Sequence, residues 1–402
     1  MGAPAVGWGF RIRWAVLPSG ERVPLLTWRG EFGVPDESVA RYVLTNLRAR
    51  KVPNSIELDL RGIGMGLAFC AARDIDLMER IARGAFLDSN ELMALHEFMR
   101  RGKRVSIVQV DVAADRYHAF IHYVIWCAEP ILKRISKRSA LQIARGELAD
   151  FKKKAFAVGP KKSRDAATGN PGARLGMTAE QRALFLRVIV PGAPENPFRE
   201  DLQLRNHAYL LLCYHLGARA GEMLGLKVKD IDRTQRPVVV SIKRRHDDPE
   251  DPRKRPAATK TRERDLAIDE EVASVLDKWM KNRSKKEAFP RARKWPYIFV
   301  NEDGDPITQH GLSGIYQTLR KKHPSLPKDL ATHIVRHDRN DRWVENPDDA
   351  GDASAHEADQ IYLMGWSDRS KMPSRYGARA RQNRANKKSL ELQRRDLGKA
   401  DK

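Results

Sequence analysis

The chain has 402 residues, 41% of them hydrophobic and 31% charged, with 74 Lys and Arg against 52 Asp and Glu for a formal net charge of +22. That length exceeds one ordinary core and predicts two domains with an added element, and the charge points to a polyanion partner, most commonly nucleic acid. No apolar run approaches the ~20 residues of a membrane span, no signal-peptide pattern opens the chain, and Cys70, Cys127 and Cys213 lie far apart in apolar contexts, as buried thiols of a reducing compartment do.

In chain order, Phe10-Arg11-Ile12-Arg13-Trp14 and Val23-Pro24-Leu25-Leu26-Thr27-Trp28 flank a turn at Pro18-Ser19-Gly20 and predict a β-hairpin. With Trp8, Trp14 and Trp28 it forms either a small packed sheet or a DNA-contacting arm. From Asp36 the pattern is helical. Ser38–Ala49 is one expected helix, and Ser55–Ala72 another, with Ile56, Leu60, Ile63 and Leu67 at helical spacing. Asp88-Ser89-Asn90-Glu91 is a capping box opening a helix through Met99, and a fourth helix is expected over Ala113–Ile135. Arg41, Arg48 and Lys51 are candidate phosphate contacts on these helices. From residue 146 to 176, Lys152, Lys153 and Lys161 mix with Gly159, Pro160, Gly169 and Pro171, which predicts a basic linker, either strapped over a DNA backbone or a solvated tether.

A second capping box, Thr178-Ala179-Glu180-Gln181, opens the next domain. An apolar helix over Asp201–Leu216 ends at Gly217, a natural C-cap, and Arg219 precedes a short helix that carries Glu222. Val238–Lys243 and the stretch running to Ile268 predict two strands, and Tyr297–Val300 a further one. Asp269 and Thr308 cap the helices between and after them. The helix that follows bears His333 and Arg336, three positions apart and so on one face. Arg336 has fixed donors suited to phosphate oxygens, His333 exchanges a proton near neutral pH, and Tyr376 is a possible oxygen nucleophile. Together they suggest chemistry on a phosphodiester.

Five short stretches in this order carry a resemblance. Gly217-Ala218-Arg219-Ala220-Gly221-Glu222, Lys260 in Thr-Lys-Thr before a strand, His333-Ile334-Val335-Arg336-His337, Gly365-Trp366 and then Tyr376 resemble the boxes of the tyrosine recombinase (phage integrase) family. The likeness covers about residues 178–390, and the helices before it are similar to the family's core-binding domain. Two stretches are longer than the family pattern: His337 to Ile361, and, by one residue, Trp366 to Tyr376. Tyr362 is the rival nucleophile, but it lies ahead of the Gly-Trp turn in an apolar helix and is expected in the core rather than as the catalyst.

The resemblance implies a mainly α fold with a small antiparallel β-sheet in the catalytic domain (α+β). The expected division is an N-terminal β-hairpin extension at 1–34, a helical core-binding domain at 35–145, the basic linker at 146–176, a catalytic domain at 177–390 and a basic tail at 391–402. The segment after Tyr376 is either a docking helix for a neighbouring subunit or a frayed tail. As implied catalytic residues, Arg219 and Arg336 hold the phosphate's nonbridging oxygens and Trp366 adds an indole donor. Tyr376 attacks, His333 takes its proton or orients the phosphate, and Lys260 protonates the leaving 5′-oxygen. Glu222 orients these groups, and His337 packs beside them. The family works without metal, ATP or other cofactor, on double-stranded DNA, as a homotetramer on paired sites, with accessory DNA-bending proteins in some members. A bacterial cytoplasmic, nucleoid-associated location goes with that activity. A type IB topoisomerase uses nearly the same residues, and a non-catalytic DNA-binding regulator derived from a recombinase is the alternative from another class.

Overall fold

Alternation along the first strand sets the N-terminal unit. β1 (Phe10–Val16) and β2 (Arg22–Trp28) pair antiparallel with Phe10 opposite Trp28. Phe10 and Ile12 turn inward while Arg11 and Arg13 are exposed, so the described hairpin is a packed sheet. The computed structural model describes residues 9–29, 33–102, 107–160, 176–245, 247–257, 262–345, 353–370, 372–375 and 378–396, in two compact units, Met1–Arg164 and Asp165–Lys402. Among the described residues no helix is long and apolar enough to cross a membrane.

The hairpin lies on helix α2 of a helical set. This set comprises α1 (Glu37–Tyr42, continued as a π-helical turn over Val43–Leu47), α2 (Pro53–Ala71), α3 (Leu77–Ala82), α4 (Ser89–Met99), α5 (Val110–Arg134) and α6 (Arg138–Val158). The expected capping box at Asp88 is present, its carboxylate accepting from Glu91 N at 2.8 Å. Glycines let α2 run between two layers. A Cβ at Gly62 would sit 2.4 Å from the Arg116 carbonyl oxygen of α5, one at Gly66 2.2 Å from the Phe120 ring, and one at Gly64 2.8 Å from Leu26 and Phe10 of the hairpin. The core then closes around Leu60, Ile63, Phe69, Tyr117 and Phe120.

One boundary needs correction. Residues 146–158, expected as linker, are the second half of α6. Leu148, Phe151 and Ala155 recur at helical spacing and are buried, while Lys153 and Lys154 are exposed and Lys152 is half-buried, so the lysine run masked an amphipathic helix. The short α3 also went unforeseen.

The second unit contains α7 (Ala179–Val188), α8 (Glu200–Leu216), α9 (Ala220–Gly225), β3 (Ile231–Asp232), β4 (Val238–Ile242), β5 (Arg264–Ile268) and α10 (Glu270–Arg283). After these come α11 (Gln309–Lys322), α12 (Thr332–Glu345), α13 (Ala353–Met364), α14 (Met372–Arg375) and α15 (Ala378–Asp396). The sheet order is β3-β4-β5, antiparallel throughout, with Val240 opposite Leu266. Tyr297–Val300 is not a strand. It makes only isolated bridges, Lys227 to Tyr297 and Val300 to Pro306. The boundary expected at 390 is also crossed, since α15 continues to Asp396.

Helix α8 is the hub of this unit, packed by α10, α12 and β5, with Tyr209, Leu212 and Cys213 fully buried. It stops at Gly217, whose φ of 59° is left-handed and cheap only for glycine. Helix α12 crosses that end. Arg336, Arg339 and Arg342, three residues apart, donate to the carbonyls of Gly217 (2.6 Å), His215 (2.8 Å) and Tyr214 (2.5 Å). Tyr209 fixes the start of α12 through a 2.9 Å hydroxyl contact with Thr332.

Helix α13 is clamped to α12 by buried amides. Asn340 donates to the Arg336 carbonyl at 2.8 Å and accepts from Gln360 at 3.0 Å. Replacing Asn340 with Leu strands the Gln360 amide in the interior, so Asn340→Leu is expected to cost about 1–3 kcal/mol in urea unfolding, and Asn340→Leu with Gln360→Leu to recover part of it. In the first unit, Gly62→Ala meets backbone and is expected to destabilise by about 1–3 kcal/mol. Gly146→Ala, whose Cβ would meet nothing within 4 Å, should instead stabilise α6 by about 0.5–1 kcal/mol.

Candidate active site

Arg219 is held by the turn between α8 and α9. Its backbone is extended, and its N–H donates to Glu222 Oε2 at 2.9 Å, so Glu222 reaches back one turn to cap the helix that carries it. The Arg219 guanidinium is about one-third exposed and donates to the Met364 carbonyl at 3.3 Å. Arg336 enters from α12, 3% exposed, and donates to the same Met364 carbonyl at 2.8 Å. Two arginines 117 positions apart in sequence therefore meet on one oxygen atom.

That oxygen is placed by the end of α13. Gly365, with φ 61°, closes the helix: its N–H donates to Tyr362 O at 2.9 Å, and Trp366 N–H reaches Ile361 O at 3.0 Å. This paired arrangement ends the helix in a left-handed residue and leaves the Leu363 and Met364 carbonyls for side chains. Trp366 follows, 4% exposed, with the Arg336 guanidinium 5.6 Å from its ring centroid.

Arg219, Arg336, His333 and Thr332 line one cleft of about 470 Å³, together with Gln309 and Ser313 of α11. His333 is exposed on the first turn of α12, and the half-buried His337 ring meets it edge-on with centroids 6.5 Å apart. Glu222 lies beneath with a fully buried side chain, paired with Arg264 at 2.9 Å and with Arg219 at the longer 3.6 Å. Lys260 and Tyr376 lie outside the described residues. Their flanks are described: Ala257 N–H donates to Asp251 at 3.2 Å, Arg262 N–H to Gly365 O at 3.2 Å, and α14 ends at Arg375.

Tyr362 is not in the core. It is 53% exposed on α13, and its hydroxyl donates to the Asp265 carbonyl at 3.2 Å. The apolar run around it turns Met364 inward and leaves the phenol outside. Arg264, Asn340 and Gln360 were not anticipated. For Arg264 the signal existed: Leu266 and Ile268 alternate inward along β5, which places Arg264 inward as well.

The candidate DNA contacts of the first unit are differently situated. Arg41 is exposed in the last turn of α1. Arg48 is paired with Glu21, and Lys51 with Asp59 at 2.6 Å. Such exposed pairs are worth little and exchange readily for a phosphate. Lys152 is half-buried and Lys153 exposed on α6, and Lys161 lies outside the described residues.

Two guanidiniums and an imidazole opening on one cleft can hold a tetrahedral oxyanion. Residues 193–382 match the model of the phage integrase family. A curated relative, the tyrosine recombinase XerD of Halalkalibacterium halodurans, is 25% identical over 148 residues, a match that covers 37% of this chain and 43% of that protein. Among solved structures, the Tn1549 transposon integrase in complex with a circular intermediate DNA shares the fold with TM-score 0.50 and 16% identity, over 86% of this chain and 99% of that one. The XerH site-specific recombinase bound to difH substrate, in a pre-cleavage complex, does so with TM-score 0.50 and 15% identity, over 89% and 90%. The chain is thus similar to the phage integrase family over residues 193–382, and it shares its fold with these two solved recombinases.

Proposed function

We propose that this chain is a site-specific DNA recombinase that cleaves and rejoins double-stranded DNA through a 3′-phosphotyrosine and moves a mobile genetic element. The observation that supports it most is the convergence of Arg219 and Arg336 on the Met364 carbonyl, both opening on the cleft that His333 borders. A phosphodiester seated there presents its nonbridging oxygens to two guanidiniums, which gain strength as charge builds up on the pentacoordinate phosphorus.

In this reading the Tyr376 oxygen attacks phosphorus in line with the 5′-oxygen. The Tyr376 proton leaves by way of His333, the P–O5′ bond breaks, and Lys260 delivers a proton to the departing oxygen. The phosphotyrosyl ester conserves the bond, so a 5′-hydroxyl from a second duplex reverses the step without a nucleotide cofactor. Glu222 orients Arg219, Trp366 backs Arg336, and His337 supports the His333 ring. The basic residues of the first unit, Arg41, Lys153 and, by exchange of their acidic partners, Arg48 and Lys51, contact the DNA backbone. The active species is a homotetramer on paired sites, assisted where needed by DNA-bending proteins, and works in the bacterial cytoplasm at the nucleoid.

The test uses a nicked duplex cut from the end of the element that encodes the chain. The wild-type protein is expected to give a covalent adduct on a denaturing gel and to exchange strands between two such sites, rather than only relax a supercoiled plasmid. Tyr376→Phe is expected to abolish the adduct while retaining a gel shift, and Arg219→Ala to slow its formation about 10²–10³-fold. An adduct that persists in Tyr376→Phe removes that residue as nucleophile.

A further inference from the structure

Arg264 belongs to none of the recognised boxes, yet its side chain is only 1% exposed, against 34% for Arg219. It donates to Glu222 Oε2 at 2.9 Å, to Glu222 Oε1 at 3.2 Å and to the Leu363 carbonyl at 2.8 Å. Gly365 makes room for it, since a Cβ there would sit 2.6 Å from the Arg264 terminal nitrogen. The Glu222 carboxylate thus faces two guanidiniums and is unequally shared. Arg264 takes it at bidentate hydrogen-bond distance, while Arg219 stands 3.6 Å away and turns its donor to Met364 O.

We infer that Arg264 is a positioning residue whose task is to occupy Glu222 and so keep the Arg219 guanidinium directed into the cleft. This rests on the strand-exchange reading. A buried carboxylate without a cation is costly, and Arg219 sits on the same helical turn, three residues away and within a slight side-chain rotation. Remove Arg264, and Glu222 recruits Arg219 into the tight pair that Arg264 now makes. The cluster also falls from three guanidiniums against one carboxylate to two against one, which halves its formal excess charge where phosphate charge must be met. Arg264 leaves the DNA itself untouched and acts through Arg219.

A purely structural role predicts that losing both partners of the buried pair is at least as harmful as losing one. The positioning role predicts the opposite sign. Arg264→Gln is expected to slow adduct formation on the nicked element-end duplex about 10–100-fold, with the gel-shift affinity held within about twofold. Arg264→Gln with Glu222→Gln is expected to be about tenfold faster than Arg264→Gln alone, because no carboxylate remains to capture Arg219. If Arg264→Gln does not fold, by its unfolding transition, Arg264→Lys serves: it keeps the charge without the fork, and its smaller loss is likewise relieved by Glu222→Gln. A double variant no faster than the single overturns the inference while wild-type adduct formation stands. A wild-type chain that forms no adduct strikes the strand-exchange reading itself, and this inference with it.

Discussion

The second unit depends on arginines seated on the carbonyl ends of two helices. The C-terminus of α8 accepts Arg336, Arg339 and Arg342 from α12, and the C-terminus of α13 accepts Arg219, Arg264 and Arg336. Arg336 is common to both. Two like charges about 4 Å apart repel by roughly 4 kcal/mol at the effective dielectric of a protein near its surface, so such a gathering needs compensation. Each helix end supplies a partial negative charge worth about 0.3–2 kcal/mol per cation, and Glu222 supplies a full one. The guanidiniums are already gathered in the structure, so the reorganisation that free side chains would need is already complete.

This arrangement explains why the left-handed glycines stand where they do. Gly217 and Gly365 each end a helix abruptly, exposing the terminal carbonyls sideways instead of letting a further turn consume them. A Cβ at Gly217 would sit 3.0 Å from Arg339, and one at Gly365 2.6 Å from Arg264, so the same residues that stop the helices also admit the arginines. The buried Asn340–Gln360 pair then holds α13 against α12, which keeps Met364 under both catalytic candidates. Burial of Arg339 beside Arg342 lowers its affinity for a proton, and burial with the same two cations lowers that of His215. These are signs that positive charge is packed densely here and is met by carbonyls more than by acids.

Much of this was legible in the sequence where it depends on local chemistry. The capping boxes at Asp88 and Thr178, the glycine stop at Gly217 and the shared helical face of His333 and Arg336 are short-range features, and each is found as read. What escaped depends on tertiary placement. Helix α6 was hidden by a lysine run whose solvated side outweighed its apolar stripe. Tyr362 reads as core because its neighbours are apolar, but one step of helical phase puts it outside. Tyr297–Val300 has strand composition and finds no strand to extend. Arg264 was passed over because a surface arginine is the ordinary case, although the alternation of β5 pointed it inward.

The loop between β4 and β5 contains Lys260. Its body, residues 244–257, is highly charged, yet it is fastened by buried ions. Lys227, 2% exposed, binds Asp248 at 2.6 Å and Glu250 at 2.7 Å, and Tyr297 donates to Asp248 at 2.9 Å beneath it. Arg253 grips Asp251 at 2.7 Å and reaches the carbonyls of Leu224 and Ile307, and its guanidinium lies 4.6 Å from the centre of the same Tyr297 ring. Asp251 in turn accepts from Ala257 N, while on the far side Arg262 is tied to the Gly365 turn by its backbone and to Asp368 by its side chain. In sequence, Lys260 falls between two anchored residues, Ala257 and Arg262. The buried ions of Lys227 and Arg253 fasten the body of the loop beside α9, while the Arg262 backbone bond to Gly365 O and its exposed pair with Asp368 fasten the far end beside α13.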